Sequence, residues 1–367
     1  MQNIAVIFGG KTVEHDISII TGLSVIKNLS LKYNVVPIYI DTLGNWWTGE
    51  HLKQAKSYTQ EPKGKFCYFE FNQPNLCVKS TFGYKKINID CAVLALHGGM
   101  YEGGAVQGVL EISNIPYTSP NVLGSSLCMD KVITKLLLKS LNINTPKFIS
   151  FNKQNEPKSL KQIVGSLNFP LIVKPARCGS SIGVTKVLEE KELSSAVNHA
   201  FLFDDKIIIE ECLQDFKELN IALFKENNKI HISSIEEIKL NSKLYDFNDK
   251  YKNKENIKRI VPAQIPLKAI DKIVNYATQI YEKFDLSGLI RIDCFLTENK
   301  VFVNEINTIP GSFAFYLWKE QGLSFAQILN LLIKHAILSH KQKQNQLYKF
   351  NSDVLSCLND IEKIEYK

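Results

Sequence analysis

The sequence predicts an α/β protein of two or three domains that opens with parallel strands. Its length of 367 residues exceeds that of one average domain. Residues 2–8 form a continuous apolar run before Gly9-Gly10, which is typical of a buried parallel strand that ends in a tight turn. A helix is predicted over 17–29 from the spacing of its apolar residues, and Asn34–Ile40 is predicted to be the second strand. The chain therefore opens with a βαβ unit, with Glu14 near the first turn of its helix.

The composition is that of a globular protein. Hydrophobic residues make up 45% and charged residues 22%, and the absence of an apolar run of about 18 residues predicts no membrane span. No basic segment precedes the first strand, which argues against a signal peptide and for a cytoplasmic location. The net charge of +7 fits an anionic substrate, and no nucleic-acid-binding motif accompanies it. Eight scattered cysteines without a C-x-x-C pair indicate reduced thiols.

Residues 41–119 are expected to complete the first domain. Residues 41–88 are interpreted as an insertion with a hairpin formed by Phe66–Phe71 and Val78–Lys85. Strand Ile89–Leu96 then ends at His97, followed by a glycine-rich turn with Glu102 and a helix over 105–112. Open α/β sheets bind ligands at the carboxyl ends of their strands, so His97 and Glu102 are both candidate site residues. A histidine at a strand end is also often simply packed or hydrogen-bonded. A short strand and turn at 114–119 closes the domain.

The second domain is expected to contain a phosphate-binding loop. A helix is predicted over Val122–Leu141, then a strand at Lys147–Phe151 and a helix over Asn155–Asn168. Strand Leu171–Pro175 carries Lys174 and leads through a Gly/Ser loop into strand Val184–Leu188. A lysine beside such a loop is suited to bind phosphates through its ammonium and through backbone N–H groups and hydroxyls. The lysine precedes the loop, so this is not a Walker A motif, and an ordinary exposed hairpin remains an alternative.

Carboxylates mark the end of this domain and the start of the next. A helix over Glu190–Phe203 is followed by strand Lys206–Glu211, and Glu218 precedes strand Leu219–Phe224. The strand that ends in two carboxylates can present an acid and backbone groups to an adenine, although surface carboxylates would give the same pattern. Residues 239–258 are polar and lysine-rich, which predicts a mobile loop over the site. A helix is predicted over Lys268–Phe284.

The third domain is expected to hold a metal site. Strands Leu289–Leu296 and Lys300–Glu305 are joined by a polar turn, which places Asp293 and Glu305 side by side, with Asn307 just beyond. Three such oxygen ligands suit Mg²⁺ beside phosphate, and Arg291 is placed to stabilise charge that develops during acyl or phosphoryl transfer. Solvated carboxylates at strand ends are the alternative. An aromatic run at 313–318, a helix over Phe325–Leu338 and a charged tail follow.

Six motifs in order resemble those of the D-alanine:D-alanine ligases of the ATP-grasp superfamily, and the resemblance covers about residues 1–340. The motifs are GGKTVEHDIS (9–18), HGGMYEGGAVQG (97–108), MDKVITK (129–135), KPARCGSSIG (174–183), DKY (249–251) and RID…NEINTIPG (291–311).

The resemblance implies a three-domain ATP-grasp architecture, α/β with α+β character in the ATP-binding part. Its expected domains are an N-terminal Rossmann-like parallel-sheet domain at 1–119, a central lid domain at 120–213, a C-terminal domain with the metal site at 214–345, and a peripheral tail at 346–367. A homodimer is implied as well.

The resemblance also implies roles in binding ATP and metal. The residues expected to hold ATP are Lys131, Lys174, Ser180, Ser181, Glu210, Glu211, Leu213, Glu218 and Lys250. Two Mg²⁺ ions, which Mn²⁺ can replace, are expected at Asp293, Glu305 and Asn307.

The remaining roles concern the two amino-acid substrates. Glu14 is implied to pair with the ammonium of the first D-alanine, with His97 nearby, and Ser180 and Tyr251 link Glu14 to the closed lid. Arg291 and the Gly311 N–H are implied to stabilise the oxyanion. Tyr316 stands where the family has a serine that holds the second substrate.

Three functions follow from these features. The first is ATP-dependent ligation of two D-alanines through an acyl phosphate, for peptidoglycan synthesis. The second is the same chemistry with D-alanine or another amino acid and a different acceptor, such as D-serine or D-lactate, and the retained Tyr251 favours an amine over D-lactate. The third, a catalytically silent nucleotide-binding protein, is disfavoured by the intact set of phosphate and metal residues. A dehydrogenase is disfavoured because no dinucleotide fingerprint occurs.

Overall fold

The computed structural model describes residues 1–29, 31–155, 157, 159–160, 164–240, 257–298, 300–347, 350 and 352. Across this part of the chain, the strands form three sheets that follow one another in sequence. Residues 241–256 of the loop predicted at 239–258 lie outside the described residues, as do most of the tail and part of the helix predicted at 155–168.

The first sheet combines the predicted parallel strands with an antiparallel extension. Strand β1 pairs in parallel with β2 and β7, as predicted. Strands β3 to β6 continue the sheet antiparallel beyond β2. The bounds are β1 Asn3–Gly9, β2 Asn34–Ile40, β3 Trp46–Thr48, β4 Lys65–Phe69, β5 Asn75–Ser80, β6 Gly83–Asn88 and β7 Cys91–Leu94. The helices are α1 His15–Leu29, α2 Gly99–Glu102 and α3 Ala105–Ile112, with 3₁₀ turns at Glu50–Lys53 and Ala55–Thr59.

Two predictions in this sheet are wrong in detail. The predicted strand Val78–Lys85 is in fact the end of β5 and the start of β6, because the chain reverses at Thr81-Phe82. The strand predicted at 114–119 is reduced to a parallel bridge between Ala92 and Tyr117.

The second sheet is antiparallel, in the order β10-β9-β11-β8. Its strands are β8 Phe148–Asn152, β9 Leu171–Pro175, β10 Thr185–Val187 and β11 Lys206–Glu211. The helices of this region are α4 Val122–Met129, α5 Lys131–Ser140 and α6 Leu193–Ala200, with 3₁₀ turns at Lys153–Asn155 and Glu190–Glu192. The helix predicted over Glu190–Phe203 is therefore shorter and begins with a 3₁₀ turn.

The single helix predicted over Val122–Leu141 is wrong, because it breaks at Asp130. That residue has an extended backbone, and its carboxylate accepts hydrogen bonds from the N–H groups of Val132 and Ile133. Asp130 is therefore the N-cap of α5, and capping places the next residue, Lys131, in the first turn of α5.

The third sheet is antiparallel, in the order β15-β14-β12-β16-β17, with β13 paired to β12. Its strands are β12 Lys217–Glu226, β13 Lys229–Ile232, β14 Glu236–Leu240, β15 Ile257–Ile260, β16 Ile290–Leu296 and β17 Val301–Asn307. The helices are α7 Leu267–Lys283 and α8 Phe325–Lys343, and the aromatic run lies in a 3₁₀ helix, Gly311–Gln321. Glu218 lies inside β12 and not before it, and the ends of the predicted loop 239–258 pair as strands β14 and β15.

Helix α8 joins the third sheet to the first. One apolar core contains Phe8 of β1, Phe224 of β12, Trp318 and Leu332. The Tyr33 hydroxyl also donates a hydrogen bond to Asn330 Oδ1 (2.7 Å). The opposite face of β1 is covered by α3, so β1 is buried on both faces, as its apolar sequence predicts. This packing holds the first and third sheets together.

Among the described residues, no single helix is long and apolar enough to span a membrane; one pair bent by 109°, Gly311–Gln321 with Phe325–Lys343, passes by length and composition only.

Candidate functional site

The predicted metal ligands lie together at one end of the β16–β17 hairpin. Asp293 is directly opposite Glu305, and Arg291 is opposite Asn307. The Arg291 guanidinium donates two hydrogen bonds to the Asp293 carboxylate (2.6 and 2.7 Å), and Asn307 Nδ2 donates a third (3.1 Å). Burial alone would lower the pKa of Arg291, but the adjacent Asp293 raises it well above its ordinary value. The Asp293 side chain is therefore held in a fixed orientation.

These ligands suit a metal ion that is shared with a substrate. The described part of the chain contains no cluster of three or more His, Cys, Asp or Glu residues that could enclose an ion. Two carboxylates and one amide oxygen leave most of an octahedral shell to other oxygens. Mg²⁺ is usually bound in this way, through one or two carboxylates with phosphate and water. The donor set therefore fits Mg²⁺ beside a phosphate.

One lysine on helix α5 and one on strand β9 of the second sheet reach this hairpin. Lys131 Nζ lies 3.9 Å from Glu305 Oε2 and donates a hydrogen bond to the Cys178 carbonyl (2.6 Å). Lys174 Nζ lies 3.4 Å from Oδ1 of Asn304, the residue before Glu305. Both lysines are buried. Cationic groups and candidate metal ligands from two different sheets thus meet at one place.

A third lysine, which the sequence analysis did not identify as a site residue, lies behind them. Glu210 is buried between two ammonium groups, with Lys174 Nζ 2.9 Å from Oε2 and Lys135 Nζ 3.2 Å from Oε1. Lys135 is fully buried and also donates to the Thr145 hydroxyl (2.8 Å). Burial lowers the pKa of Lys135 to about 8, against the opposing effect of Glu210. Burial alone would raise the pKa of Glu210, but the two lysines lower it.

The predicted phosphate loop contacts the first sheet through Glu14. The Ser180 hydroxyl donates a short hydrogen bond to Glu14 Oε1. Ser180 and Ser181 both have left-handed backbones, with φ of 51° and 59°. At Gly98, with φ of 76°, an added Cβ would lie 2.4 Å from Glu14 Oε2, so only glycine fits beside this carboxylate.

Glu14 is buried next to other ionisable groups. Burial raises its pKa, and the charge of Glu102 raises it further, whereas Ser180, His97 and Lys131 lower it. His97 is buried and pairs with the Thr21 hydroxyl through Nε2 (2.9 Å), and burial lowers its pKa. The predicted proximity of His97 to Glu14 therefore agrees with the electrostatic coupling between them.

Glu102, which the sequence placed with His97 at the ligand-binding end of the first sheet, also connects the first and third sheets. Its carboxylate accepts hydrogen bonds from the Gly98 N–H (3.0 Å), the Thr308 hydroxyl (3.2 Å) and the Ile309 N–H (3.2 Å). Burial raises its pKa. Its position in a glycine-rich turn was visible in the sequence, but its partners Thr308 and Ile309 lie over 200 residues away.

The segment after β17 has an unusual backbone. Ser312, Phe313 and Ala314 have φ between 45° and 53°, although none is glycine. Such conformations cost energy and occur mainly where the surrounding structure imposes them, often at functional sites. Tyr316 follows, and its hydroxyl donates to Glu236 Oε2 (3.1 Å).

The residues predicted to bind adenine and ribose are less closely grouped. Glu211 accepts two hydrogen bonds from Asn168, while its neighbour Glu210 faces the lysines. Leu213 is half-buried just beyond β11, and Glu218 lies on β12 opposite Phe295. The predicted site residues Lys250 and Tyr251 lie outside the described part of the chain.

The arrangement can bring two anions together. Lys131 and Lys174 can neutralise phosphate, and the Asp293–Glu305 end can hold a metal ion. A buried carboxylate, Glu14, lies close by to hold a cationic group. Attack of one anion on another requires such charge neutralisation.

Two family models match most of the chain. The model described as D-ala D-ala ligase N-terminus matches residues 3–120, and that described as D-ala D-ala ligase C-terminus matches residues 137–334. The D-alanine–D-alanine ligase of Thermosipho africanus is 40% identical over 364 residues, which cover 96% of this chain and 98% of that protein.

Solved structures of similar proteins share the fold of this chain. The D-alanine-D-alanine ligase of Coxiella burnetii has a TM-score of 0.81 and 26% identity, with 99% of each chain covered. A D-Ala:D-Ser ligase from Enterococcus faecalis has a TM-score of 0.79 and 32% identity, covering 91% of this chain and 99% of that one. The predicted α/β architecture is confirmed.

Proposed function

The chain belongs to the D-alanine:D-alanine ligase family, and on that premise we propose that it joins two D-alanine molecules through an acyl phosphate, with ATP as the phosphoryl donor. The product is D-alanyl-D-alanine, for peptidoglycan synthesis. The convergence of Lys131, Lys174, Asp293 and Glu305 carries this proposal, because the first step joins two anions.

The ATP phosphates bind to Lys131 and Lys174 beneath the loop that carries Ser180 and Ser181. Adenine and ribose are held by Glu210, Glu211, Leu213 and Glu218, and Lys250 reaches the transferred phosphate. Glu210 also orients Lys174 through their ion pair. Asp293, Glu305 and Asn307 would hold Mg²⁺, or Mn²⁺ in its place, and the metal would neutralise phosphate charge.

The first D-alanine binds with its ammonium at Glu14, beside His97. Ser180 fixes the Glu14 carboxylate, and the family resemblance gives Tyr251, which lies outside the described residues, a role in the same contact. A carboxylate oxygen of D-alanine attacks the γ-phosphorus of ATP, the bond to the ADP oxygen breaks, and an acyl phosphate forms. Orientation by Glu14 contributes to the rate because the reacting atoms are held within reach of each other.

The second D-alanine then attacks the acyl carbon through its amine. Arg291 and the Gly311 N–H stabilise the tetrahedral oxyanion. Phosphate leaves, the amine loses a proton, and the peptide bond is complete. Tyr316 lies at the acceptor site, beside Arg291.

The domain boundaries proposed from the sequence follow the three sheets, at 1–119, 120–213 and 214–345, with a tail at 346–367. The first boundary agrees with the extent of the N-terminal family match. We place the enzyme in the cytoplasm as a homodimer.

A second candidate is ligation of D-alanine to another acceptor such as D-serine or D-lactate. Tyr316 at the acceptor site favours it, together with the likeness to a D-Ala:D-Ser ligase. Release of ADP from ATP and Mg²⁺ should therefore be measured with D- and L-amino acids and D-lactate, singly and in pairs, and the products identified by mass. D-alanine alone should suffice. Turnover that needs a second compound would favour the alternative.

A further inference from the structure

Tyr316 is held in place from two directions. Its hydroxyl donates to Glu236 Oε2 (3.1 Å) and accepts from Arg259 Nη1 (3.1 Å). The Arg259 guanidinium also lies over the ring, 5.1 Å from its centre. A ring contacted at both its edge and its face cannot rotate without breaking several interactions.

Glu236 anchors this group. Its side chain is fully buried on β14 and accepts hydrogen bonds from Asn220 (3.1 Å), Arg259 (2.8 Å) and Tyr316. A buried carboxylate is costly unless it is fully paired, so its partners are held firmly. Tyr316, Glu236, Arg259 and Asn220 form what we call the tyrosine clamp.

The tyrosine clamp adjoins the metal-binding hairpin. Asn220 on β12 is directly opposite Asp293 on β16. Arg291 and Asp293 are both close enough to influence the Tyr316 hydroxyl electrostatically. The Tyr316 side chain is only half-buried.

We propose that Tyr316 is a specificity-determining residue that restricts the acceptor to an amino acid with a small side chain. Asn220, Glu236 and Arg259 are positioning residues that keep its ring in place. This inference rests on the proposed function, because it concerns the acceptor of that reaction.

The test is competition between acceptors. Purified full-length protein receives ATP, Mg²⁺, D-alanine and one larger D-amino acid, D-valine, and the ratio of D-alanyl-D-valine to D-alanyl-D-alanine is measured by mass. The Tyr316→Ala variant should raise this ratio roughly tenfold or more, since pocket contacts of a few methylene groups discriminate by such factors. The KM for ATP should not change.

Two conservative variants distinguish the effect of the Tyr316 ring itself from the effect of the groups that hold it in place. Tyr316→Phe keeps the ring but loses both hydroxyl hydrogen bonds, and Arg259→Lys loses the planar group over the ring. Each should raise the ratio by roughly two- to tenfold, the value of one or two hydrogen bonds. Tyr117→Phe is the matched control, because it also removes a tyrosine–glutamate hydrogen bond, but in the first domain. It should leave the ratio of the two dipeptides unchanged.

An unchanged ratio in all three variants, with wild-type protein that makes D-alanyl-D-alanine, would overturn this inference and leave the proposed function intact. If Tyr316→Ala does not fold, the ratios measured with Tyr316→Phe and Arg259→Lys test the inference. Wild-type protein that makes no D-alanyl-D-alanine from D-alanine would instead refute the proposed function.

Discussion

The Ser180 hydroxyl donates a hydrogen bond to the Glu14 carboxylate, although 166 residues separate them in the chain. The contact joins the loop after β9 to the turn after β1. Gly179 and Gly98 pack against the same carboxylate, where a side chain on either would collide with it. Loops that follow strands of two different sheets thus surround one buried carboxylate.

Removal of the Ser180 hydroxyl should weaken binding of the first D-alanine. The Ser180→Ala variant loses a hydrogen bond to a carboxylate, worth about 1.5–3 kcal/mol, so the KM for the first D-alanine should rise roughly tenfold or more. Initial rates over a range of D-alanine concentrations measure it. Ser140→Ala, at the exposed end of α5, is the control. Equal KM values in both variants would contradict the role of Ser180.

Loss of one metal ligand should nearly abolish turnover without unfolding the protein. Asp293→Asn and Glu305→Gln each remove a charged oxygen with little change in volume, so a loss of at least about a hundredfold in kcat is expected. Circular dichroism checks the fold, and Glu298→Gln in the exposed turn of the same hairpin is the control. Near-normal kcat in both ligand variants would exclude this metal site.

The pH dependence should report the raised pKa of Glu14. Glu14 must be ionised to bind an ammonium, so kcat/KM for the first D-alanine should fall as the pH drops through that pKa, at a higher pH than for an ordinary glutamate. The main cause is burial, and the next is the charge of Glu102. Glu102→Gln should therefore shift the acid limb to lower pH. If the acid limb of the pH profile does not move in this variant, the limb reports the ionisation of a group other than Glu14.

Lys135 should make stability depend on pH. Its pKa is lowered from 10.5 to about 8 in the folded protein, so the unfolded chain binds more protons at this group between those values. The free energy of unfolding should thus rise with pH from about 8 to 10.5, relative to a Lys135→Met variant, by up to about 3 kcal/mol. Urea unfolding at several pH values measures the difference.

Lys139→Met, at an exposed position on the same helix, should not produce this difference. Parallel curves for wild-type protein and Lys135→Met would show that Lys135 does not titrate in this range.

The β16–β17 hairpin could be predicted from the sequence because its information is local. Alternating apolar residues on both sides of a polar turn fix the pairing, and this pairing puts Asp293 opposite Glu305. The parallel strands β1 and β2 could also be predicted, because the apolar runs that indicate them are local in the sequence. The break at Asp130 also had a local signal, an N-cap residue, which the helical spacing of its neighbours concealed.

The buried charges could not be predicted in this way. Lys135 and Glu236 look like surface residues in their local sequence, since charged side chains are rarely buried. Each is buried because it pairs with residues from another element, such as Glu210 for Lys135 and Arg259 for Glu236. Those pairings exist only once the sheets are assembled.

The acyl phosphate is the central claim, and an isotope experiment tests it most directly. Purified protein is given ATP, Mg²⁺ and D-alanine labelled with ¹⁸O in its carboxylate as the only amino acid, and the products are analysed by mass. We predict D-alanyl-D-alanine together with phosphate that carries one ¹⁸O atom, because the donor oxygen that attacks the γ-phosphorus leaves with it. Absence of the dipeptide, or unlabelled phosphate beside it, would contradict the account.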